Sequence, residues 1–195
     1  MQINIIRKKE QATTRWTGGT TTELVIYPKK SRFKDRNFFY RLSLAEVEID
    51  ESSFTKLPGI DRTLLVLDGR LTLEHPGKHT VTLEKFDTDT FNGGWDTISY
   101  GRATDFNLMT RGKTKGRLEG FTLKKGDTYK HAVNKDSSVI GCYTFRGALE
   151  IALDSHYSLG EGDLMLISVD QNIKDIVLKA QEDSDVVISA LTINE

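Results

Sequence analysis

The chain has 195 residues, 37% of them hydrophobic, which is enough for the packed core of one large domain or two small ones. Its 27 basic and 28 acidic side chains give a formal net charge of -1, which argues against a general attraction to nucleic acid or to anionic lipid. The single cysteine excludes an intramolecular disulfide and no apolar run is long enough to cross a bilayer, so we expect a cytoplasmic protein without nucleic-acid or membrane partners.

Alternation of apolar and polar residues with a period of two predicts short β-strands along most of the chain. In chain order, the segments that carry it include VEID, TLLVLDGRLTLEH, HTVTLEKF, VIGCYTF, ALEIALD, DIVLKA and DVVISALTI. No segment keeps a helical period over three turns. The sequence therefore predicts an all-β protein, and we expect the basic run at residues 29–36 to be a solvated loop without a function.

An internal repeat relates residues 65–91 to residues 144–167. Gly69 aligns with Gly147 and Leu83 with Leu159, and each copy reads as strand, glycine turn, strand, loop and strand. The repeated pattern G-x-L-x-hydrophobic, followed by a loop and an aspartate, resembles the cupin family. The resemblance implies two cupin-type jelly-roll β-barrels, a bicupin, in one compact chain, and an ordinary β-sandwich is the alternative.

The charged stretch RGKTKGRLEG marks the expected boundary between the two barrels. We expect an N-terminal barrel of residues 1–118 that carries a polar pocket, and a C-terminal barrel of residues 119–195. Because the second segment is short for a closed barrel, we expect residues 2–7 to pair with it.

The metal site of many cupins is expected to be missing here. Such sites use two histidines as H-x-H, a glutamate and a later histidine. Seven positions before Gly69, the place of the glutamate is taken by Arg62, and the place of the later histidine falls near Thr97. His75 and His79 flank a Pro-Gly turn, and we expect them on the surface with nitrogen atoms that cannot converge. The sequence therefore predicts no metal and no cofactor.

Polar side chains are predicted to line the interior of the first barrel. Alternation puts Arg41 and Ser43 on the inward face of residues 38–49, and a second polar stripe follows residues 104–112. The candidate ligand-binding residues are Trp16, Glu23, Arg41, Ser43, Asp61, Arg62, Phe91, Asp105, Asn107 and Arg111. Because an arginine fork matches the two oxygens of a carboxylate, we expect a small carboxylate metabolite. The alternative is a structural network in which acidic residues neutralise the arginines and no ligand binds.

Five motifs resemble, in order and spacing, the HutD/Ves family of bicupin proteins: WTGGTTTEL, YRLSLAEV, SFTKLPGIDRTLLVLDG, FNGG and YGRATDFNLMTRG. The chain departs from many members at Thr17 and Thr20. The resemblance implies a link either to histidine utilisation, with a pathway intermediate such as formylglutamate or urocanate as ligand, or to stress responses. Both of these ligands are carboxylates.

These observations favour a metal-free, non-enzymatic bicupin that binds a small carboxylate metabolite and has a regulatory or accessory role. The alternative is a metal-independent isomerase or lyase with a buried carboxylate, Asp105 or Glu23, as its general base, although the motifs contain no histidine for proton transfer. A third hypothesis is an interaction scaffold that forms a homodimer through its sheet faces.

Overall fold

The structure, a computed structural model, describes residues 1–170 and 173–194. Across these residues it contains 19 β-strands and two short 3₁₀ helices, Lys8–Glu10 and Phe33–Asp35, and no α-helix, which confirms the predicted all-β class. The strands are β1 (Gln2–Ile6), β2 (Ala12–Trp16), β3 (Gly19–Tyr27), β4 (Tyr40–Val47), β5 (Glu51–Ser53), β6 (Ile60–Gly69), β7 (Leu71–His75), β8 (His79–Leu83), β9 (Thr88–Asn92), β10 (Ile98–Tyr100), β11 (Ala103–Arg111), β12 (Lys115–Leu123), β13 (Thr128–Ala132), β14 (Val139–Arg146), β15 (Leu149–Ala152), β16 (His156–Leu159), β17 (Leu164–Ser168), β18 (Asp175–Ala180) and β19 (Ser184–Thr192). None of the helices in the described ranges has the length and apolar character needed to span a membrane.

The chain divides into two compact units, which we call the N-terminal unit, residues 11–115, and the C-terminal unit, residues 1–10 with 116–194. The N-terminal unit has a six-stranded sheet in the order β2-β3-β4-β11-β6-β9 and a four-stranded sheet in the order β5-β10-β7-β8. Neighbouring strands in both sheets run antiparallel. Two sheets with alternating inward residues are the arrangement expected of a jelly roll.

The core of the N-terminal unit lies between its two sheets. Leu64 and Val66 of β6 and Leu71 and Leu73 of β7 are fully buried, as the alternation in TLLVLDGRLTLEH predicts. Burial of each such side chain contributes about 1.5–3 kcal/mol. This apolar layer packs next to the polar residues of the six-stranded sheet that are described below.

The C-terminal unit repeats the same design. Its sheets have the orders β1-β17-β14-β19-β12 and β13-β18-β15-β16, and its interior contains a large apolar cluster. Strand β1 pairs antiparallel with β17, from Gln2 opposite Ser168 to Ile6 opposite Leu164. Just after β1, Arg7 Nη1 donates to Asp163 Oδ2 at 2.7 Å and the Lys8 amide donates to Asp163 Oδ1 at 3.0 Å. One aspartate therefore holds the end of β1 in this unit.

The internal repeat is visible in the backbone. Strands β6 to β9 correspond to β14 to β17, and the aligned turn glycines have nearly the same dihedral, φ +81° at Gly69 and +82° at Gly147. Only glycine adopts this region without strain. A Cβ on Gly69 would also lie 2.5 Å from the Arg102 carbonyl oxygen, so both the conformation and the space require glycine there.

Candidate functional site

Polar residues gather on three adjacent strands in the middle of the six-stranded sheet. Strand β11 lies between β4 and β6, and its Met109 stands opposite Arg41 on one side and Arg62 on the other. Two residues earlier on β11, Asn107 stands opposite Ser43 of β4. Because side chains alternate between the two faces of a strand, these residues share one face of the sheet. The register therefore brings two arginines to the same face of the sheet, with β11 between their strands.

A cavity of about 360 Å³ lies over this face. Its wall is partly apolar and partly polar, which is typical of sites for small molecules. The lining residues are Thr14, Trp16, Thr21, Phe33, Arg41, Ser43, Ala45, Val47, Ser52, Ser53, Phe54, Thr55, Leu57, Arg62, Asp105, Asn107 and Met109.

Arg62 is a buried cation in this wall, with 8% of its surface exposed. Its Nε and Nη2 donate to Asn107 Oδ1 at 3.3 and 3.0 Å, and its guanidinium carbon lies 4.6 Å from the centre of the Phe54 ring. Burial lowers the pKa of Arg62 to about 10, although the nearby Asp105 favours the charged form. The guanidinium is therefore still positive at neutral pH, and its neighbours fix its plane.

Arg41 is the second buried cation, with 6% of its surface exposed. Its Nε donates to Glu23 Oε2 at 2.7 Å and its Nη1 donates to Ser43 Oγ at 2.9 Å. The guanidinium carbon lies 4.5 Å from the centre of the Phe33 ring. Within the described part of the chain, neither Arg41 Nη2 nor Arg62 Nη1 donates to a protein acceptor. Each arginine thus keeps donor capacity beyond its protein contacts.

Asp105 is the acidic member of the group and is 1% exposed. Burial raises its pKa from 3.8 to about 6, while the hydrogen bond from Asn107 and the charge of Arg62 act in the opposite direction. Asn107 Nδ2 donates to Asp105 Oδ1 at 2.7 Å, so Asn107 connects the acid to Arg62. A carboxyl group in this state changes its charge close to neutral pH.

The structure brings most of the predicted site residues together. Six of them line the cavity: Trp16, Arg41, Ser43, Arg62, Asp105 and Asn107. Glu23 is held by Arg41 at the partly exposed side of the group. Phe91 is buried next to Arg62, 5.3 Å from its guanidinium carbon, and supports the arginine instead of lining the cavity.

Two predicted residues do not belong to this cavity. Asp61 precedes Arg62 on β6, so its side chain faces the other way; it pairs with Lys115 Nζ at 2.8 Å and its side chain is 45% exposed. Arg111, the last residue of β11, keeps its register opposite Ile60 of β6 but is exposed and does not line the cavity. Alternation predicts which face of the strand a side chain takes, but not whether the cavity extends to the end of that strand.

Two aromatic residues of the site were not among the predicted ones. Phe54 lies in the quoted motif SFTKLPG, and its ring covers Arg62. Phe33 lies in the basic run that was expected to be a solvated loop, and its ring covers Arg41. Phe33 is exposed, as expected of a solvated segment, but its ring also lines the cavity. The one indication in the sequence is that Phe33 is the only aromatic residue in the run KKSRFKDR.

The histidines also differ from the expectation. His75 is 1% exposed because it continues the inward row of Leu71 and Leu73 on β7. It pairs with His79 across the hairpin, and both rings reach the same carboxylate: the Nε2 atoms of His75 and His79 lie 2.9 and 3.1 Å from Asp89 oxygens. The prediction of a surface position is confirmed for His79, which is exposed, and is wrong for His75. The prediction that their nitrogens cannot converge is also wrong.

The two-sheet units define a protein of the cupin fold, with an arginine-lined cavity in the N-terminal unit. The chain belongs to the HutD family, whose sequence profile matches residues 8–188. HutD from Pseudomonas fluorescens SBW25, determined in a formate condition, is 18% identical, with all of both chains covered and a TM-score of 0.74.

Other solved structures have the same fold. A conserved protein of unknown function from Pseudomonas aeruginosa PAO1 is 20% identical over 99% of this chain and 100% of that chain, with a TM-score of 0.83. YhhW from Escherichia coli is 10% identical over 97% of both chains, with a TM-score of 0.71. At these identities the likeness shows the fold alone. No curated protein is a significant sequence match.

Proposed function

We propose that this chain is a bicupin whose N-terminal unit binds a small carboxylate metabolite and which has a regulatory or accessory role in the cytoplasm, in histidine utilisation or in a stress response. One observation carries the proposal: two buried guanidiniums with donor capacity to spare face one cavity of about 360 Å³. Glu23 pairs with Arg41, whereas Arg62 has the amide of Asn107 and no carboxylate at ion-pair distance among the described residues. Burying a cation without an anionic partner costs several kcal/mol, so an anionic ligand beside Arg62 would offset this cost.

The ligand's carboxylate would bind between Arg62 and Arg41, accepting hydrogen bonds from Arg62 Nη1 and Arg41 Nη2. Charge-assisted bonds of this kind are roughly twice as strong as neutral ones. The Phe33 and Phe54 rings hold the two guanidinium planes, so little side-chain entropy is lost on binding. The hydroxyl groups of Ser52 and Thr55 would meet polar groups on the rest of the ligand.

The relatives suggest which carboxylates to test. Formate, named as a condition of the HutD structure from Pseudomonas fluorescens, is the smallest carboxylate and therefore a simple probe. The HutD family also points to histidine utilisation, whose intermediates formylglutamate and urocanate each carry at least one carboxylate. We therefore choose formate, urocanate and formylglutamate as probes.

The test is isothermal titration calorimetry of each probe with the parent protein, Arg62→Met and Arg111→Met. Methionine keeps the apolar packing against Phe54 but loses the charge. We expect Arg62→Met to weaken binding at least 30-fold, since losing one partner of a buried charged hydrogen bond costs about 2–5 kcal/mol. Arg111→Met is the matched control, because Arg111 is exposed outside the cavity, and it should retain the parent affinity. Equal affinity in Arg62→Met and the parent would remove the carboxylate from this cavity.

The second candidate function is a metal-independent isomerase or lyase, and the raised pKa of the buried Asp105 favours it. A general base works best when its pKa lies near the working pH, and Asp105 faces the cavity with a pKa of about 6. Incubating each probe with the protein and following its NMR spectrum distinguishes the two functions. An enzyme would convert a probe and lose this activity in Asp105→Asn, whereas a binding protein would leave every probe unchanged.

A further inference from the structure

We propose that His75, His79 and Asp89 form a binding site for a divalent transition-metal ion, separate from the arginine-lined cavity. His75 ends β7 and His79 begins β8, so the hairpin places the two imidazoles side by side. Asp89 comes from β9 in the other sheet of the same unit, where it shares the inward face with Phe91. The three side chains therefore meet at the edge of the core, where one member is buried and one is accessible.

The distances suit a small cation. One ligand atom from each residue, two imidazole nitrogens and a carboxylate oxygen, lies within 4.8 Å of the other two. His75 Nε2 lies 2.9 Å from Asp89 Oδ2, and His79 Nε2 lies 3.1 and 3.2 Å from the two Asp89 oxygens. Zinc–ligand bonds of about 2.0–2.2 Å place the ligand atoms of a tetrahedral site roughly 3.4 Å apart. The nitrogen–oxygen pairs are already close to this spacing, so a small movement of the exposed His79 ring toward His75 would complete the site.

The surroundings fix the orientation of the His75 ring, whereas the His79 ring is exposed and can adjust. His75 Nδ1 lies 3.0 Å from Thr97 Oγ1, and the ring centre lies 4.6 Å from Phe91 and 5.7 Å from Trp95. Metal-binding histidines usually make such a hydrogen bond through their second nitrogen, which sets the orientation of the ring. The side chain of His79 is 39% exposed, so an ion can reach the site from solvent.

The donor set indicates which ions would bind. Two imidazoles and one carboxylate favour Zn²⁺, Ni²⁺, Co²⁺ or Cu²⁺ over Ca²⁺ and Mg²⁺, which prefer oxygen ligands. Three protein ligands leave at least one coordination position for water or a small ligand. The nearby Lys78 has its Nζ 5.4 Å from the centre of the Trp95 ring, and among the described residues it forms no ion pair with Asp89. Without an ion, the same geometry is a hydrogen-bonded group in which the imidazole N–H groups donate to Asp89, and the experiment must separate these two states.

The test is calorimetric titration of the full chain with ZnCl₂ and with NiCl₂, using the parent protein, His79→Gln, Asp89→Asn and His156→Gln. His79→Gln changes an exposed side chain, and far-UV circular dichroism checks its fold. His156→Gln is the control, because His156 is an exposed histidine that hydrogen-bonds Glu150 at 3.0 Å in the C-terminal unit. We expect the parent and His156→Gln to bind one ion with the same affinity, and His79→Gln and Asp89→Asn to bind at least tenfold more weakly.

A further readout reports on the ligands themselves. Cu²⁺ electron paramagnetic resonance should show hyperfine coupling to two imidazole nitrogens in the parent and to one in His79→Gln. Absence of binding at millimolar metal, or equal affinity in His79→Gln, Asp89→Asn and the parent, would overturn the proposal.

Discussion

Replacing Asp105 with asparagine should stabilise the protein at neutral pH, although it removes a charged partner from the cavity. Asp105 has a folded pKa of about 6, above its usual 3.8, because burial disfavours the ionised form. An asparagine has almost the same shape and resembles the protonated acid. Its side-chain oxygen can still accept the hydrogen bond that Asn107 Nδ2 now donates to Asp105.

The sign and size of the effect follow from proton linkage. A raised folded pKa means that the native state binds the proton more tightly than the unfolded state, so this contribution to stability is fully present below about pH 4 and is lost as the pH rises through 6. A shift from 3.8 to about 6 corresponds to roughly 3 kcal/mol of lost stability at pH 7 and above. Asp105→Asn does not ionise and avoids this loss.

Urea unfolding followed by tryptophan fluorescence measures the effect, since Trp16 and Trp95, the only tryptophans, both lie in the N-terminal unit with Asp105. The difference in unfolding free energy between Asp105→Asn and the parent should grow by about 2–3 kcal/mol from pH 4 to pH 7.5, in favour of the variant. Carboxylate binding should change in parallel: at pH 7.5 the variant should bind formate more tightly, and at pH 5 the two proteins should bind equally.

A constant difference in stability across this pH range would refute the reasoning, because it would mean that Asp105 titrates alike in the folded and unfolded states. A variant that is less stable at every pH would show that the carboxylate charge is needed to hold Arg62. Glu23→Gln is a suitable comparison, because Glu23 contacts Arg41 from a side chain that is 34% exposed. It changes the same net charge without the same burial.

Two further predictions concern the fold. Gly69→Ala should lower the unfolding free energy by about 2–4 kcal/mol, and Gly59→Ala by only about 1 kcal/mol. Both glycines have a positive φ, but of the two only Gly69 has a backbone oxygen 2.5 Å from the place of the added Cβ. Equal losses in urea unfolding would contradict this. Asp163→Ala should cost about 1–3 kcal/mol and expose residues 1–7 to proteolysis, because the Lys8 and Gly160 amides lose their acceptor and Arg7 keeps only its hydrogen bond to the Ser158 carbonyl oxygen. An N-terminus that resists trypsin as in the parent would contradict it.

Much of the cavity was predictable because a strand fixes side-chain direction with a period of two. Once Glu46 and Glu48 are assigned to solvent, Arg41 and Ser43 must face inward, and the same argument places Asp105 beside Asn107. Arg62 followed from the cupin resemblance, since seven positions before Gly69 the resemblance implies the metal-binding glutamate. These inferences use distances along the chain that regular secondary structure converts directly into direction.

The residues that sequence analysis missed come from places where direction depends on tertiary packing. Phe33 lies in a short 3₁₀ helix between strands, and only the path of that connection brings its ring over Arg41. Asp89 lies in a different sheet from His75 and His79, so their meeting depends on how the two sheets close on each other. No spacing in the chain encodes that closure.

Arg62 lies where the cupin resemblance implies a carboxylate that binds a cation. A second arginine, Arg41 of β4, lies on the other side of β11, in the row that passes through Met109. Burial is the main cause of the lowered pKa of Arg62, and the positive charge of Arg41 lowers it further because the two cations repel each other. The acid that relieves this repulsion, Asp105, is itself half-protonated near pH 6. The cavity therefore becomes more positive as the pH falls, so an anionic ligand and a proton at Asp105 should each favour the binding of the other.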